Sequence, residues 1–558
     1  MLTRARRGDR HKGSRGPLAG PTLRIYRPVR ASRRYRTLGD EAETSDLKEG
    51  LSTVTRGTLF LLVSTLFLVL FNFVTRVLLV KSLSTTGWTD FSLGFTLSLV
   101  LAAIGTLGLP NAVARSLPYA ASDAERRSIV RVAVVGGVAS ALTVGGTLWL
   151  LAPRIGSALG SSEIGLGLEF FAIAVSAQIV ATLLAAVFQG YADVTPNALF
   201  VQFLDPALFL CFLLAARALP SVGLTYGAAL VGYALANAIA LGAIAAYAVR
   251  RLPRHLPAGP YAPEAGRRLF WFAGPLFVVG AMTSLAGSGD TLVLGVFHTV
   301  EVGAYTASLT LARLLQIGIS AASYIFLPVA ARFYRRNDRR SLQLTYTTVT
   351  KWMVLFSMPL FFLFVVLART SLGFVYGPSY AQSLAPLQIT VLGSFAVTLL
   401  GPAASAQLAY GQVRALAINS IVAGAADVGL AIALVPNFGA AGSAAAWAAS
   451  NVLYVTLCLA GLAATDGTHP FHRNFVVPLL ATALPVAGAL FLLAPLVRAW
   501  MLPLLGLGIA GAFFLAVAVT RSVDEGDRLL LGAIEGLLGR PVPLVRWLGR
   551  WAGPPTPP

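Results

Sequence analysis

Apolar runs of about 20 residues follow one another along almost the whole chain, and each is long enough to cross a bilayer as a helix. Nothing else in the sequence constrains the fold as strongly. In hydrocarbon the backbone polar groups must be satisfied within the segment, so such runs are helical. We count fourteen spans, at 57–80, 89–110, 130–151, 165–189, 196–217, 224–248, 268–297, 303–328, 347–368, 384–409, 415–436, 440–463, 475–496 and 500–521. Composition agrees: of 558 residues, 56% are hydrophobic and 12% are charged, about half the charge of a soluble domain. The expectation is an all-α polytopic membrane protein of about 14 transmembrane helices.

The net charge of +20 does not point to nucleic acid, because most basic residues flank apolar runs and so set topology. Connections after even-numbered spans carry Arg126, Arg127 and Arg131, then Arg250, Arg251, Arg254, Arg267 and Arg268, then Arg332, Arg335, Arg336, Arg339 and Arg340. Connections after odd-numbered spans carry mostly single charges: Lys81, Arg154, Arg217, Arg369 and Arg498. The positive-inside rule then places both termini in the cytoplasm of a cell-membrane protein, and an even span count agrees. Residues 1–55 are basic and lack the apolar core of a secretory signal; a disordered cytoplasmic tail is expected there. Residues 523–558 form a second tail. In it Leu530, Ile534, Leu537 and Leu538 share a helical face, and Arg546, Trp547, Arg550 and Trp551 suit a headgroup zone, so an interfacial helix is expected. Cys211 and Cys458 lie inside apolar segments and build neither a metal site nor a disulfide framework.

The chain repeats itself. "LFLLVSTLF" at 59–67 answers "LFWFAGPLF" at 269–277, "FSLGFTL" at 91–97 answers "YTASLTL" at 305–311, and "LPSVG" at 219–223 answers "VPNFG" at 435–439. Phe91 and Tyr305 stand 214 positions apart, as do Asn237 and Asn451. Spans 1–6 (56–252, the N-lobe) and 7–12 (266–465, the C-lobe) are therefore read as two copies, followed by spans 13 and 14 (470–522). Six is even, so both copies enter the membrane the same way. Their pseudo-twofold axis runs along the membrane normal, and a central cavity lies between them, where transporters of this plan hold substrate.

Charged residues inside the spans mark candidate sites. Arg313 lies in span 8 on a polar stripe with Thr306, Thr310, Gln316, Ser320 and Ser323. Lipid cannot satisfy such a stripe, so it faces a cavity or another helix; burying the arginine costs about 3 kcal/mol on insertion scales. Span 1 carries Arg76, with Asn72 one turn before it, and span 7 carries Asp290 at the repeat-equivalent place. Arg76, Asn72, Asp290, Arg313 and Gln316 are the candidate cavity residues. Two readings stand for the cluster. In one its net positive charge holds an anion such as a diphosphate, since guanidinium pairs with phosphate in two-pronged fashion. In the other Asp290 neutralises an arginine in a latch between lobes. Asp205 in span 5 and Asp427 in span 11 form a second pair. Either they take up H+ or Na+ and couple transport to a gradient, or each bonds to a neighbouring Ser, Thr or Asn. The lack of a second carboxylate one turn away favours the latter. Arg115 and Arg332 end spans 2 and 8 after Pro110 and Pro328; they are read as a cytoplasmic entrance or as topology charges. No phosphate-cradling glycine loop or ordered catalytic set is present, so no cofactor is expected.

"RGTLFLLVSTLFLVLFNFVTRVLLVKSLSTTGWTDFSL", "TLGLPNAVARSLP", "DTLVLGVFHTVEVGAYTAS" and "VPNFGAAGSAAAWAASNVLY" resemble the polysaccharide transporter family, the oligosaccharide-lipid flippases of the multidrug/oligosaccharidyl-lipid/polysaccharide exporter superfamily. The resemblance covers about residues 50–520. It implies a non-enzymatic flippase that moves a polyprenyl-diphosphate-linked oligosaccharide to the outer leaflet by alternating access, among membrane lipids and alongside glycan-assembly enzymes. It also implies cavity arginines, which Arg76 and Arg313 match in kind. The multidrug-exporter branch and the peptidoglycan-precursor flippases remain alternatives. A membrane glycosyltransferase or polymerase is the remote one, since no long outer loop is present.

Overall fold

The structure, a computed structural model, describes residues 63–159, 161–219, 223–255, 259–520, 522 and 527. Both expected tails, including the interfacial helix expected in residues 523–558, lie outside the described residues, apart from Asp527. The described chain is helical throughout, without strands. Twelve of its helices are long and apolar enough to cross a membrane.

The N-lobe comprises α1 (Val63–Ser82), α2 (Thr85–Gly105), α3 (Leu109–Ser116), α4 (Asp123–Ala158), α5 (Ser162–Gly190), α6 (Asp205–Ala218) and α7 (Tyr226–His255). The C-lobe comprises α8 (Pro263–Phe297), α9 (Val302–Leu314), α10 (Ile317–Arg335), α11 (Arg339–Val366), α12 (Ala368–Tyr376), α13 (Leu384–Leu400), α14 (Ala403–Ala409) and α15 (Val413–Asp466). Helices α16 (Arg473–Leu493) and α17 (Leu502–Val519) follow and pack on α11. Several helices start where a short side chain accepts a free N–H of the first turn. Ser84 accepts from Gly87, Ser122 from Glu125, Ser161 from Ile164 and Asp338 from Ser341.

Fourteen passes are reached once two elements are read by geometry. Helix α15 is a hairpin. Gly439 has φ 53°, a left-handed conformation that favours glycine, and Ser450 donates to Asp427 at 3.0 Å. Along one straight helix those residues would stand roughly 35 Å apart. Span 8 is the broken pair α9–α10, interrupted at Leu315 and Gln316. Span 2 breaks likewise between α2 and α3, at Leu107 (φ 53°) and Gly108 (φ 69°). Corresponding spans of the two copies thus both break, span 2 towards its C-terminal end and span 8 near its middle.

Packing repeats as the sequence does. In the N-lobe α2 packs on α5 and α5 on α7; in the C-lobe α9 packs on α13 and α13 on α15. Small residues set the approach. A methyl group on Gly94 or Gly137 would run into Phe171 or Leu183, and one on Gly393 into Ala448. Close backbone approach of this kind holds helices together where lipid offers no hydrophobic drive.

The lobes meet along α2, which touches α8 and α9, and along α3 and α4, which touch α8. At the arginine-rich face Arg268 pairs with Glu125 at 2.8 Å, and Arg127 Nε donates to the Pro260 carbonyl at 2.8 Å. At the opposite face the indole of Trp88, 2% exposed, donates to the Gly303 carbonyl at 2.8 Å. Nearby, a side chain on Gly295 would meet Leu93.

Candidate functional site

A cavity of about 730 Å³ lies between α1, α2, α5, α6 and α7 on one side and α9–α10 on the other. Arg76, Asn72, Arg313, Gln316 and Asp205 all line it, so five of the residues singled out in the sequence share one space.

Arg76 projects from α1 and donates from Nη1 to the Thr310 hydroxyl of α9 at 3.0 Å, across the lobe boundary. Its guanidinium stands 5.3 Å from the centre of the Phe95 ring, a favourable cation–π placement. Behind Phe95 the rings of Phe91, Phe171, Phe209 and Tyr233 form a continuous layer, with neighbouring centroids 5.1–6.3 Å apart. Gln178 donates to the Tyr233 hydroxyl at 2.6 Å. Asn72 turns its amide to the Leu68 carbonyl, one turn back at 2.9 Å.

Arg313 ends α9, where the span breaks, and donates from Nη2 to the Gly287 carbonyl of α8 at 3.0 Å. It is half-buried, and Gln316 opens α10 just beyond the break. The hydrogen bonds of both arginines go to neutral acceptors, the Thr310 hydroxyl and the Gly287 carbonyl. Each guanidinium has five N–H donors, so both keep their charge and most of their donors for a guest.

Asp290 is not in this cavity. It is fully buried, accepts from the Ser443 hydroxyl at 2.9 Å, and its backbone N–H donates to an Asp427 oxygen at 3.1 Å. Arg313 reaches α8 one turn before Asp290, yet no ion pair forms between them. The expected cluster of two arginines and one aspartate is therefore replaced by two separate groups. Arg76 and Arg313 face the cavity, while Asp290 and Asp427 face each other inside the C-lobe with Ser443 and Ser450. The physical reason is geometric: α8 packs along both arms of the α15 hairpin, so its aspartate side is turned inward. Asp427 does bond a serine hydroxyl, but it also has the second carboxylate that no helix supplies within one turn.

Asp205 is not its partner. It follows a π-helical turn at Asn197–Leu204, a geometry frequent at functional sites, and precedes Pro206. Its Oδ1 is buried without a hydrogen-bond partner. Arg115 is exposed at the end of α3, its guanidinium 4.8 Å from the ring centre of Phe272 of α8. Arg332 is exposed near the end of α10. The structure puts both on the arginine-rich face without a mutual contact. Among the described residues no group of three or more His, Cys, Asp or Glu could hold a metal ion.

One cluster escaped sequence reading. Lys351, deep in α11 with its side chain 3% exposed, pairs with Asp527 at 2.5 Å and donates to the Ser522 carbonyl at 2.9 Å. Trp352 Nε1 donates to the other Asp527 oxygen at 2.8 Å. A lysine at the start of an apolar run, with an aspartate in the final tail, was the available signal.

Three comparisons bear on this arrangement. No curated protein matches the chain in sequence. Among solved structures, "Lipid II flippase MurJ, inward closed conformation" is similar at a TM-score of 0.67 and 11% identity, over 83% of this chain and 98% of that one. An inward-facing multidrug resistance MATE family transporter of the MOP superfamily is similar at 0.56 and 15% identity, over 73% and 99%. At such identities the likeness shows the fold: that of a multi-pass membrane transporter. The model of the family described as "Polysaccharide biosynthesis protein" matches residues 54–334. That is half of the chain, and with the shared fold it establishes that the chain belongs to the polysaccharide biosynthesis protein family.

Proposed function

We propose that this protein flips a polyprenyl-diphosphate-linked oligosaccharide across the cell membrane by alternating access. The arginine-rich face lies in the cytoplasm with both termini, and the glycan is delivered to the outer leaflet for assembly of a surface polysaccharide. The observation that carries this reading is the pair of guanidiniums, Arg76 and Arg313, directed into one cavity and bonded only to neutral acceptors. A diphosphate needs such donors, because charge-assisted and two-pronged contacts repay its lost hydration. The lipid tail stays in the bilayer, while sugars rest against the apolar wall of Phe95, Phe209 and Tyr233. Interaction only in a half-way state would not suffice. The lobes must rock about this site, opening it to each face in turn.

Coupling falls to the buried carboxylates. Asp290 and Asp427 lie within the C-lobe in reach of Ser443 and Ser450, where two adjacent carboxylates cannot both stay charged without a proton or Na+. Asp205 is a separate N-lobe candidate. The likeness to a lipid II flippase favours one second reading, in which the cargo is the peptidoglycan precursor. The cationic cavity speaks against an exporter of cationic drugs.

The test is made in cells lacking the gene, by measuring the amount and sidedness of lipid-linked glycans. Cytoplasm-facing glycan should accumulate and surface glycan should fall. Arg313→Ala should fail to restore transport at normal abundance. Full restoration by Arg313→Ala, or unchanged glycans with raised sensitivity to cationic drugs, would refute the reading. Precursor accumulation with loss of peptidoglycan would move the cargo to the second one.

A further inference from the structure

A separate recess of about 650 Å³ opens on the face opposite the arginine-rich one. Both lobes build it. Lys81 near the end of α1 and Arg217 near the end of α6 form one wall, and the turn Tyr376–Tyr380 forms the other. We propose that this recess binds a phosphate or diphosphate group, and that Lys81 and Arg217 receive the cargo's diphosphate after Arg76 releases it.

Four observations converge. The lining contains two cations and no carboxylate. Arg217 Nη1 donates to the Ser82 hydroxyl at 3.2 Å, which ties the guanidinium to the end of α1, one residue on from Lys81 in the chain, and leaves most of its donors unspent. Two cations lining one recess favour an anion within it. In the facing wall Tyr380, 4% exposed, has a buried hydroxyl without a hydrogen-bond partner; Gly377, at φ 106°, turns the backbone there as only glycine readily does.

The recess also has the right floor. Tyr376 lines it and donates to the Ala307 carbonyl of α9 at 3.0 Å. Ala307 lies one turn before Thr310, which holds Arg76. So a single layer separates recess from cavity. Along α1, Lys81 lies five residues beyond Arg76, an axial rise of about 7.5 Å. A diphosphate crossing that layer therefore passes from one guanidinium to the next cation pair in one short step. The direction of that step rests on the flippase reading; the anion chemistry of the recess does not.

The full chain in phosphatidylcholine nanodiscs would be titrated with farnesyl diphosphate, a probe with the same anionic group. In an Arg76→Ala/Arg313→Ala background the remaining binding should weaken about 10-fold or more when Lys81→Ala and Arg217→Ala are added, as expected for lost charge-assisted contacts. Arg217→Lys, which keeps the charge, should retain most of the affinity and controls for folding. A second arm adds phosphatidylglycerol and reads its retention by native mass spectrometry. Retention of that lipid that depends on Lys81 and Arg217, without farnesyl diphosphate binding, keeps the phosphate site but makes a membrane headgroup its source and overturns the hand-over. Binding of both probes unchanged by Lys81→Ala/Arg217→Ala overturns the site. If Arg76→Ala/Arg313→Ala leaves the binding stoichiometry of the otherwise native chain intact, the cavity reading fails and the recess stands.

Discussion

Replacing Asp527 by alanine removes the carboxylate that pairs with Lys351 and accepts from Trp352. Both side chains of the ion pair are almost fully buried, at 3% and 2% exposure. The ammonium would keep its bond to the Ser522 carbonyl but lose the carboxylate of Asp527. Breaking one side of such a buried pair costs about 3–5 kcal/mol, and the indole N–H left without its acceptor adds roughly 1 kcal/mol. For a chain of this length, an unfolding entropy of about 2.1 cal/mol/K per residue converts each kcal/mol into roughly 1 °C. Asp527→Ala should therefore lower the midpoint of thermal unfolding in detergent by about 4–6 °C on that scale. Lys351→Met alone should be damaging too, because it removes the ammonium that faces the buried carboxylate. The pair Lys351→Met/Asp527→Ala should lose much less than the two single changes together, since it removes both charges of the buried ion pair at once. The cycle is read from the four midpoints, with a coupling of at least about 2 kcal/mol expected for groups in direct contact. Additive losses, or an Asp527→Ala protein as stable as the parent, would refute a stabilising role for the bond between Asp527 and Lys351 of α11.

Three other outcomes follow from the same geometry on the reading of a flippase coupled to an ion gradient. A leucine at Gly303 would press on Thr89 and Trp88; overpacking of this kind costs about 1–3 kcal/mol, so Gly303→Leu should favour the state open on that face, read as faster maleimide labelling of Ser92→Cys, a position buried in this structure, and unchanged labelling would contradict it. Joining Glu125→Cys to Arg268→Cys with a short bismaleimide should hold the arginine-rich face closed and stop glycan transport, whereas transport through the linked protein would show that this seam need not open. Asp427→Asn should leave the protein folded while removing the dependence of transport on the ion gradient; if that dependence survives in both Asp427→Asn and Asp290→Asn, coupling lies elsewhere, with Asp205 as the next residue to change.

The spans were legible because their signal is local: 20 apolar residues identify themselves. The two copies were legible because 214 positions separate Phe91 from Tyr305 and Asn237 from Asn451 alike. The carboxylate partners were not. Repeat-equivalent positions belong to opposite lobes by construction, so pairing Arg76 with Asp290, or Asp205 with Asp427, gives corresponding places rather than contacts. Asp290 and Asp427 meet across 137 positions, and the fold of α15 at Gly439 brings Ser443 to the same place. Lys351 and Asp527 meet across 176. Neither separation leaves a period to detect. The break in span 8 was hidden for another reason: no proline or glycine stands at Leu315 or Gln316, and the polar stripe runs on through it.

The two lobes have diverged in what their charges do. The C-lobe hides its two carboxylates, while the cavity takes one arginine from each lobe. Those arginines are not equivalent in role. Arg313 bonds α8 within its own lobe, but Arg76 reaches across to Thr310 of the other. On the flippase reading, a diphosphate that engages Arg76 competes with Thr310 for its donors. A hydrogen bond from a charged donor contributes about 1.5–3 kcal/mol, so losing that tie shifts the balance between closed and open lobes by roughly 10- to 150-fold. Cargo binding would thus loosen the layer beneath Tyr376 at the moment the anion arrives. Thr310→Val offers the separation: it removes the tie and leaves the guanidinium. If the tie matters only as a latch, Thr310→Val should raise labelling of Ser92→Cys, buried in this structure, in the absence of cargo and abolish any further rise on adding farnesyl diphosphate. A cargo-induced rise of the same size in Thr310→Val and in the parent would show that the anion opens the lobes by some route other than Arg76.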